Sequence, residues 1–320
     1  MVYIPYPRTD LDQHTDLQTW RGSPKPDGSW VHLKDFLAAQ PRLIPDRDTI
    51  PKCWYTELPQ GDDFALDVEH FRPKSRARPL DPGRISRLQA AAGVPFRQSA
   101  QEDAYPWLEF DYRNYRLTTA FTNRGGGKHD YFPLAEGAQR LAPGQFPWAV
   151  PEYAYLLDPA DPLDAGLLLV LPDGTIVPSA PRTPLADADV QNLPASWRGN
   201  GFSYLRAMLT IQLYRLDHPR LTEARREKYA CVSQTLETLR NALLEAGEAS
   251  DTFKALVRDL ALFVIPSAAF SLAARCAMQA YMPPGDLSPA HQAVLQSVPA
   301  RILVDLDARV RQLAVSWDRP

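Results

Sequence analysis

Leu66-Asp67-Val68-Glu69-His70-Phe71-Arg72-Pro73-Lys74-Ser75 and, further along, Tyr112-Arg113-Asn114-Tyr115-Arg116-Leu117-Thr118-Thr119-Ala120-Phe121-Thr122-Asn123-Arg124 decide how this chain is read. Phe64–Phe71 and Tyr115–Thr119 are short runs with β character bounded by turn residues, so each predicts a strand. Asp67 and Glu69 alternate on one face of the first. Asn114 begins the second, and Asn123 starts a helix that follows it. Three glycines, Gly125–Gly127, then Lys128 and His129 continue the segment to Phe132-Pro133-Leu134.

The chemistry these residues can perform follows from their types. Phosphodiester hydrolysis needs a base to deprotonate water and a cation to hold the scissile phosphate and the leaving oxygen. A histidine at a strand end can be that base, because its pKa lies near neutrality. Carboxylate and amide oxygens suit magnesium or manganese, which prefer hard donors. Glu69 and Asn123 are therefore candidate ligands of one such ion, and His70 is the candidate base. Asn114 is placed to accept the second ring N–H of His70 and fix its tautomer. Each has an ordinary reading as well: a strand-capping histidine, a turn asparagine, a helix N-cap. Asp67 can join the metal or stand behind it, and His129 is a further candidate ligand or an exposed loop residue.

A basic run follows the histidine. Arg72, Lys74, Arg76, Arg78, Arg84 and Arg87 are separated by one acid, Asp81. Backbone phosphates are the natural counter-charge for such a loop, and a solvated loop or a seat for an acidic partner is the alternative. Arg113, Arg116, Arg124 and Lys128 add positive charge nearby. We take Arg72, Lys74, Arg76, Arg124 and Lys128 as candidate nucleic-acid contacts. Gly125–Gly127 lacks the strand–loop–helix frame of a nucleotide phosphate loop.

Together the two pieces resemble the HNH, or ββα-metal, endonuclease motif, in which an acidic-His pair, a strand asparagine and a helix His or Asn recur in that order. Three further segments resemble the HNH subunit of the Septu anti-phage system and its retron-associated relatives. They are Cys53-Trp54-Tyr55-Thr56-Glu57, the block from Leu156-Leu157-Asp158-Pro159 to Asp173-Gly174, and Thr210–Tyr214 continuing to Ala224-Arg225-Arg226-Glu227. The resemblance implies an endonuclease in which Glu69 and Asn123 bind the metal, His70 is the base and Asn114 orients it. It also implies an ATPase partner; nucleic acid is the expected substrate, DNA ahead of RNA, with RNA left open. HNH proteins of this type often carry two CxxC pairs, and those four positions here read Cys53, Thr56, Thr119 and Thr122. One cysteine with three threonines cannot build a thiolate zinc site. Structural zinc is expected to be absent, with packing by Trp54, Tyr55 and Phe121 in its place. The alternative is a non-catalytic HNH-like scaffold that serves as an interaction subunit.

The rest of the 320 residues sets the frame. Apolar residues make up 45% and charged residues 23%, which suits a soluble globular protein, and the net charge of −3 argues against a bulk grip on nucleic acid. The 31 prolines fall mostly before residue 200. The three cysteines, Cys53, Cys231 and Cys276, fit a reducing cytoplasm rather than a disulfide framework. The N-terminus lacks the marks of a signal peptide. Ala255–Met278 comes nearest to a membrane span, but charges interrupt it and Pro266 should split it into two core helices. The expectation is therefore cytoplasmic, with no membrane partner.

We divide the chain into an arm (1–50) with one helical stretch near Val31–Ala39, the HNH core (51–137), a proline-rich connection (138–200) and a helical domain (201–320). The connection should hold a β-hairpin around Pro172-Asp173-Gly174. The predicted helices are a buried one through Tyr204–Tyr214, a long amphipathic one from Leu221 to Glu245, and Ser250–Val264, Ala268–Tyr281 and Pro289–Leu313. The class is α+β: a ββα-metal core with a mainly helical C-terminal domain.

Overall fold

The computed structural model describes residues 1, 4, 33, 34, 37, 51–61, 65–93, 95–100, 102–124, 126–145, 152–179 and 201–318, with side chains to 309. Leu33, Lys34 and Leu37 are helical; the rest of the arm, residues 180–200 of the connection and Gly125 lie outside the described residues. The chain is α+β, with small antiparallel sheets and a helical second half.

Strand β1 (Leu66–His70) pairs antiparallel with β2 (Tyr115–Thr119), Leu66 opposite Thr119 and His70 opposite Tyr115. Between them lies helix α1 (Pro82–Ala92), whose ends are written in the sequence. Asp81 caps it by accepting from the Arg84 N–H, Pro82 occupies the first turn, and Gly93 closes it in the left-handed region. Helix α2 (Ala120–Asn123) follows β2 directly, capped by the Thr119 hydroxyl, and packs on both strands. Gly127 in the next loop is required sterically: a Cβ there would meet the Thr122 carbonyl oxygen at 2.0 Å.

After the one-turn helix α3 (Pro162–Ala165), β3 (Leu168–Val170) pairs with β4 (Ile176–Pro178) around Pro172-Asp173-Gly174. The helices α4 (Phe202–Leu213), α5 (Pro219–Ala246), α6 (Asp251–Val264), α7 (Ser271–Ala280) and α8 (Pro289–Asp318) complete the chain. Pro266 divides α6 from α7, as its missing N–H and fixed φ require. No described helix is long and apolar enough to cross a membrane. One continuous core joins both halves, from Trp54 and Leu117 beside the sheet to Leu236, Leu260 and Leu295 among the helices.

A buried ionic knot ties the halves as well. Glu57, in the left-handed region at φ 61°, receives Lys52 Nζ at 3.2 Å, the Met1 ammonium at 3.5 Å, Ser271 Oγ at 2.8 Å and the Leu272 N–H at 3.2 Å. Burial pushes this carboxyl up, but the two cations and the Ser271 and Leu272 donors outweigh it and hold it at about 2. Because the folded pKa lies below the ordinary 4.5, the knot's stabilisation is present above that value and is lost as pH falls towards 2. Glu57→Gln should cost about 3 kcal/mol at pH 7. Urea midpoints should show the gap from wild type closing as pH drops from about 5 to 3; a gap that stays constant across that range would refute the linkage.

Candidate active site

β1 ends at the proposed base. The His70 ring stands edge-on to Tyr115 at 5.2 Å, and its Nε2 lies 2.9 Å from the Glu109 carbonyl. A carbonyl can only accept, so Nε2 carries the proton and Nδ1 is the basic nitrogen. Burial lowers the His70 pKa to about 4, which leaves the imidazole neutral at physiological pH. Glu109 was not legible as a participant. It follows Trp107-Leu108 in a turn, and only the fold brings its backbone oxygen to the ring.

Asn114 does something other than orient that ring, and here the structure corrects the sequence reading. Its Oδ1 accepts the Arg72 N–H at 2.8 Å, and its Nδ2 donates to the carbonyls of Arg72 at 2.9 Å and Leu108 at 3.4 Å. The Asn114 carbonyl meanwhile accepts from the Phe71 N–H at 2.8 Å. The side chain is fully buried. It pins the turn after His70, and so positions the base through the backbone.

Glu69 points to the opposite face from His70, as strand alternation demands. Its Oε1 receives Lys128 Nζ at 2.7 Å and the Tyr214 hydroxyl at 2.9 Å; Tyr214 in turn stacks on Tyr55, ring centroids 3.7 Å apart. Lys128 Nζ also donates to the carbonyls of His70 at 2.8 Å and Phe71 at 2.9 Å. Burial raises the Glu69 carboxyl and lowers the Lys128 ammonium, and the attraction between the two opposes both shifts. The second oxygen, Oε2, is buried without a hydrogen-bond partner among the described residues.

Asn123 closes α2. Its backbone carbonyl accepts from the His129 N–H at 2.8 Å, while its half-buried amide has no hydrogen-bond partner among the described residues. An orphaned carboxylate oxygen and an unpartnered amide are the donor set a hard divalent ion takes, with water completing the sphere. In donor chemistry the two suit such an ion. Among the described residues no cluster of three or more His, Cys, Asp and Glu gathers for a metal. His129 lies beside Asp130 (Nδ1 to Oδ1 2.7 Å), and Asp67 grips Arg124 at 2.7 and 2.8 Å.

The basic residues are largely spoken for. Arg72 is buried on Glu152 (2.7 Å), and Lys128 is 1% exposed on Glu69; neither presents its charge to solvent, which corrects the surface role read from the sequence. Lys74 pairs with Glu109 at 2.5 Å, Arg78 with Asp130 at 2.6 Å, Arg84 with Asp81 at 3.2 Å and Arg76 with Glu102 at 2.9 Å. Arg76 and Arg124 keep exposed side chains, at 56% and 70%. Such surface pairs cost little to exchange for phosphate.

The four positions matching the zinc pairs bring their two turns together. The Thr56 N–H donates to Cys53 Sγ at 3.4 Å, the turn a metal knuckle would make. Cys53 Sγ donates to Thr118 Oγ1 at 3.8 Å, Thr118 and Thr122 hydroxyls bond at 2.5 Å, and Thr119 and Thr122 at 3.0 Å. A hydroxyl network joins the turns. Trp54 and Tyr55 are buried beside it, but Phe121 faces His218 and Arg215 instead. The triple variant Thr56→Cys/Thr119→Cys/Thr122→Cys should therefore bind cobalt(II) with the intense visible absorption of a tetrahedral thiolate site, displaceable by zinc. If that chain folds yet gives only the pale spectrum of hydrated cobalt, the two turns do not converge as described.

No family model matches this sequence, and neither a curated protein nor a solved structure matches it.

Proposed function

We propose that this protein is a metal-dependent endonuclease of the HNH type that hydrolyses phosphodiester bonds in DNA and acts as the effector beside an ATPase in anti-phage defence. The observation that supports it most is the ββα unit. A strand ends in a neutral histidine, and the helix after its partner strand ends in an amide with no hydrogen-bond partner among the described residues. The order of acid, histidine, strand asparagine and helix asparagine is that of the motif, and the knuckle turns at Cys53 and Thr119 lie where that motif carries its structural pairs.

In this reading His70 Nδ1 takes the proton from the attacking water. The Glu109 carbonyl holds the ring's Nε2–H and so keeps the tautomer in which Nδ1 can accept. Lys128 and Asn114 hold the backbone at the base and in the turn that follows it. Glu69 Oε2 and Asn123 would hold a magnesium or manganese ion, which supplies charge neutralisation at the phosphate and the leaving oxygen. Arg76 and Arg124 draw the strand in.

Conversion of supercoiled plasmid to nicked circles by the purified chain tests this, with magnesium or manganese, first alone and then with the product of the neighbouring gene. A specific observation favours a second reading, a non-catalytic HNH-like interaction subunit: Glu69 already has the Lys128 ammonium 2.7 Å away. Nicking in neither condition, with no heat of metal binding by calorimetry, would leave that reading standing and the nuclease overturned.

A further inference from the structure

We infer that the cleft between α1 and α4 is a nucleotide pocket that holds one adenine or cytosine nucleotide of a single DNA strand, an inference that rests on the nuclease reading for its substrate. The cleft encloses about 280 Å³ and is lined by Arg84, Arg87, Leu209, Gln212, Leu213 and Asp217. That is close to the smallest ligand pockets, of about 300 Å³.

Arg84 and Arg87 are one turn apart on α1 and share a face. Arg84 is set in place by Asp81 at 3.2 Å and by the Tyr131 ring, 4.5 Å beneath its guanidinium. Arg87 has no carboxylate partner among the described residues, unlike every other member of the basic run. Two guanidinium forks on one helix face suit a phosphate. Across the cleft, the Gln212 amide at the end of α4 and the Asp217 carboxylate in the turn to α5 have no hydrogen-bond partner among the described residues. Leu209 and Leu213 supply an apolar floor.

A phosphate at one wall, an apolar plane beneath and an acceptor–donor pair opposite are the complement of a nucleotide. A glutamine matches the edge of adenine, and a carboxylate accepts from the amino group of cytosine; thymine has no such amine. Asp217 makes a purely anionic occupant, such as an acidic peptide, a poor match, since its charge would repel one. Tyr131, on which Arg84 rests, lies in the loop that follows Asn123, and its hydroxyl reaches Asp81 at 3.4 Å. The pocket therefore borders the loop of the candidate active site.

The test is fluorescence anisotropy of labelled oligo(dA), oligo(dC) and oligo(dT) with the full chain in EDTA, so that cleavage plays no part. Oligo(dA) and oligo(dC) should bind about tenfold more tightly than oligo(dT). Arg87→Ala should weaken all three about five- to tenfold, and Asp217→Asn should reduce the preference for oligo(dC). Competition by AMP or CMP that Arg87→Ala abolishes would identify a free nucleotide as an equal ligand; its absence would assign the pocket to the strand. Equal binding of the three oligomers with Arg87→Ala unchanged overturns the proposal, as does displacement by poly-glutamate at matching charge. Base preference in a chain that never nicks would keep the pocket and sink the nuclease. Nicking without preference or Arg87 dependence would do the reverse.

Discussion

His70→Ala should abolish plasmid nicking, lowering the rate by about 10²–10⁴ or to the limit of detection, while the melting temperature and oligonucleotide affinity stay close to wild type. The reasoning is local. The ring is held by the Glu109 carbonyl and stands edge-on to Tyr115. What truncation removes is the basic nitrogen. Glu109 contributes its backbone oxygen, which no substitution at that position deletes, so the imidazole is the single point at which proton transfer can be cut. Nicking at the wild-type rate in a folded His70→Ala chain would show that the base lies elsewhere, and the hairpin would then be only a scaffold.

Lys128→Met should be the most damaging single substitution to stability, costing about 3–5 kcal/mol, which is a large share of the stability of a typical domain. The ammonium is enclosed and has three acceptors: Glu69 Oε1 and the carbonyls of His70 and Phe71. Removing it leaves a buried carboxylate facing one tyrosine hydroxyl and strands two main-chain oxygens at the end of β1. Urea titration reads the loss. The double variant Glu69→Gln/Lys128→Met should recover part of it, because no isolated charge remains inside. A cost below about 1 kcal/mol for Lys128→Met would mean that the pair is solvated rather than internal.

These two predictions separate what the sequence discloses from what it conceals. Alternation over Leu66–His70 and the turn chemistry of Pro172-Asp173-Gly174 are local, and both strand pairs form where they are expected. Pro219, Ser250 and Pro266 mark helix ends by caps and missing N–H groups, and the helices run between them. Charge is different. Counted along the chain, the run from Arg72 to Arg87 is a free basic loop. In space, Glu102, Glu109, Asp130 and Glu152 arrive from other segments and neutralise most of it. Among the described residues Arg87 has no such partner, and nothing in its sequence neighbourhood distinguishes it from Arg84. Lys128 could not be placed either. Beside three glycines and a histidine it reads as a loop cation, and only Gly127's close approach to Thr122 turns it inward. Asn114, read as orienting the His70 ring, instead serves the Arg72 backbone, because a side-chain carbonyl can satisfy a backbone N–H as well as a ring.

The Tyr214 hydroxyl reaches Glu69 across 145 residues of sequence, and Ser271 reaches Glu57 across 214. On the ribosome, then, the hairpin emerges long before the groups that complete its interior, and loop closure over such separations is slow. A nascent chain stalled before α7 has the histidine and both asparagines, but Glu57 still lacks Ser271 and Leu272. If the hairpin is a cleavage centre, a polypeptide truncated before Tyr214 carries it without the hydroxyl that completes its interior.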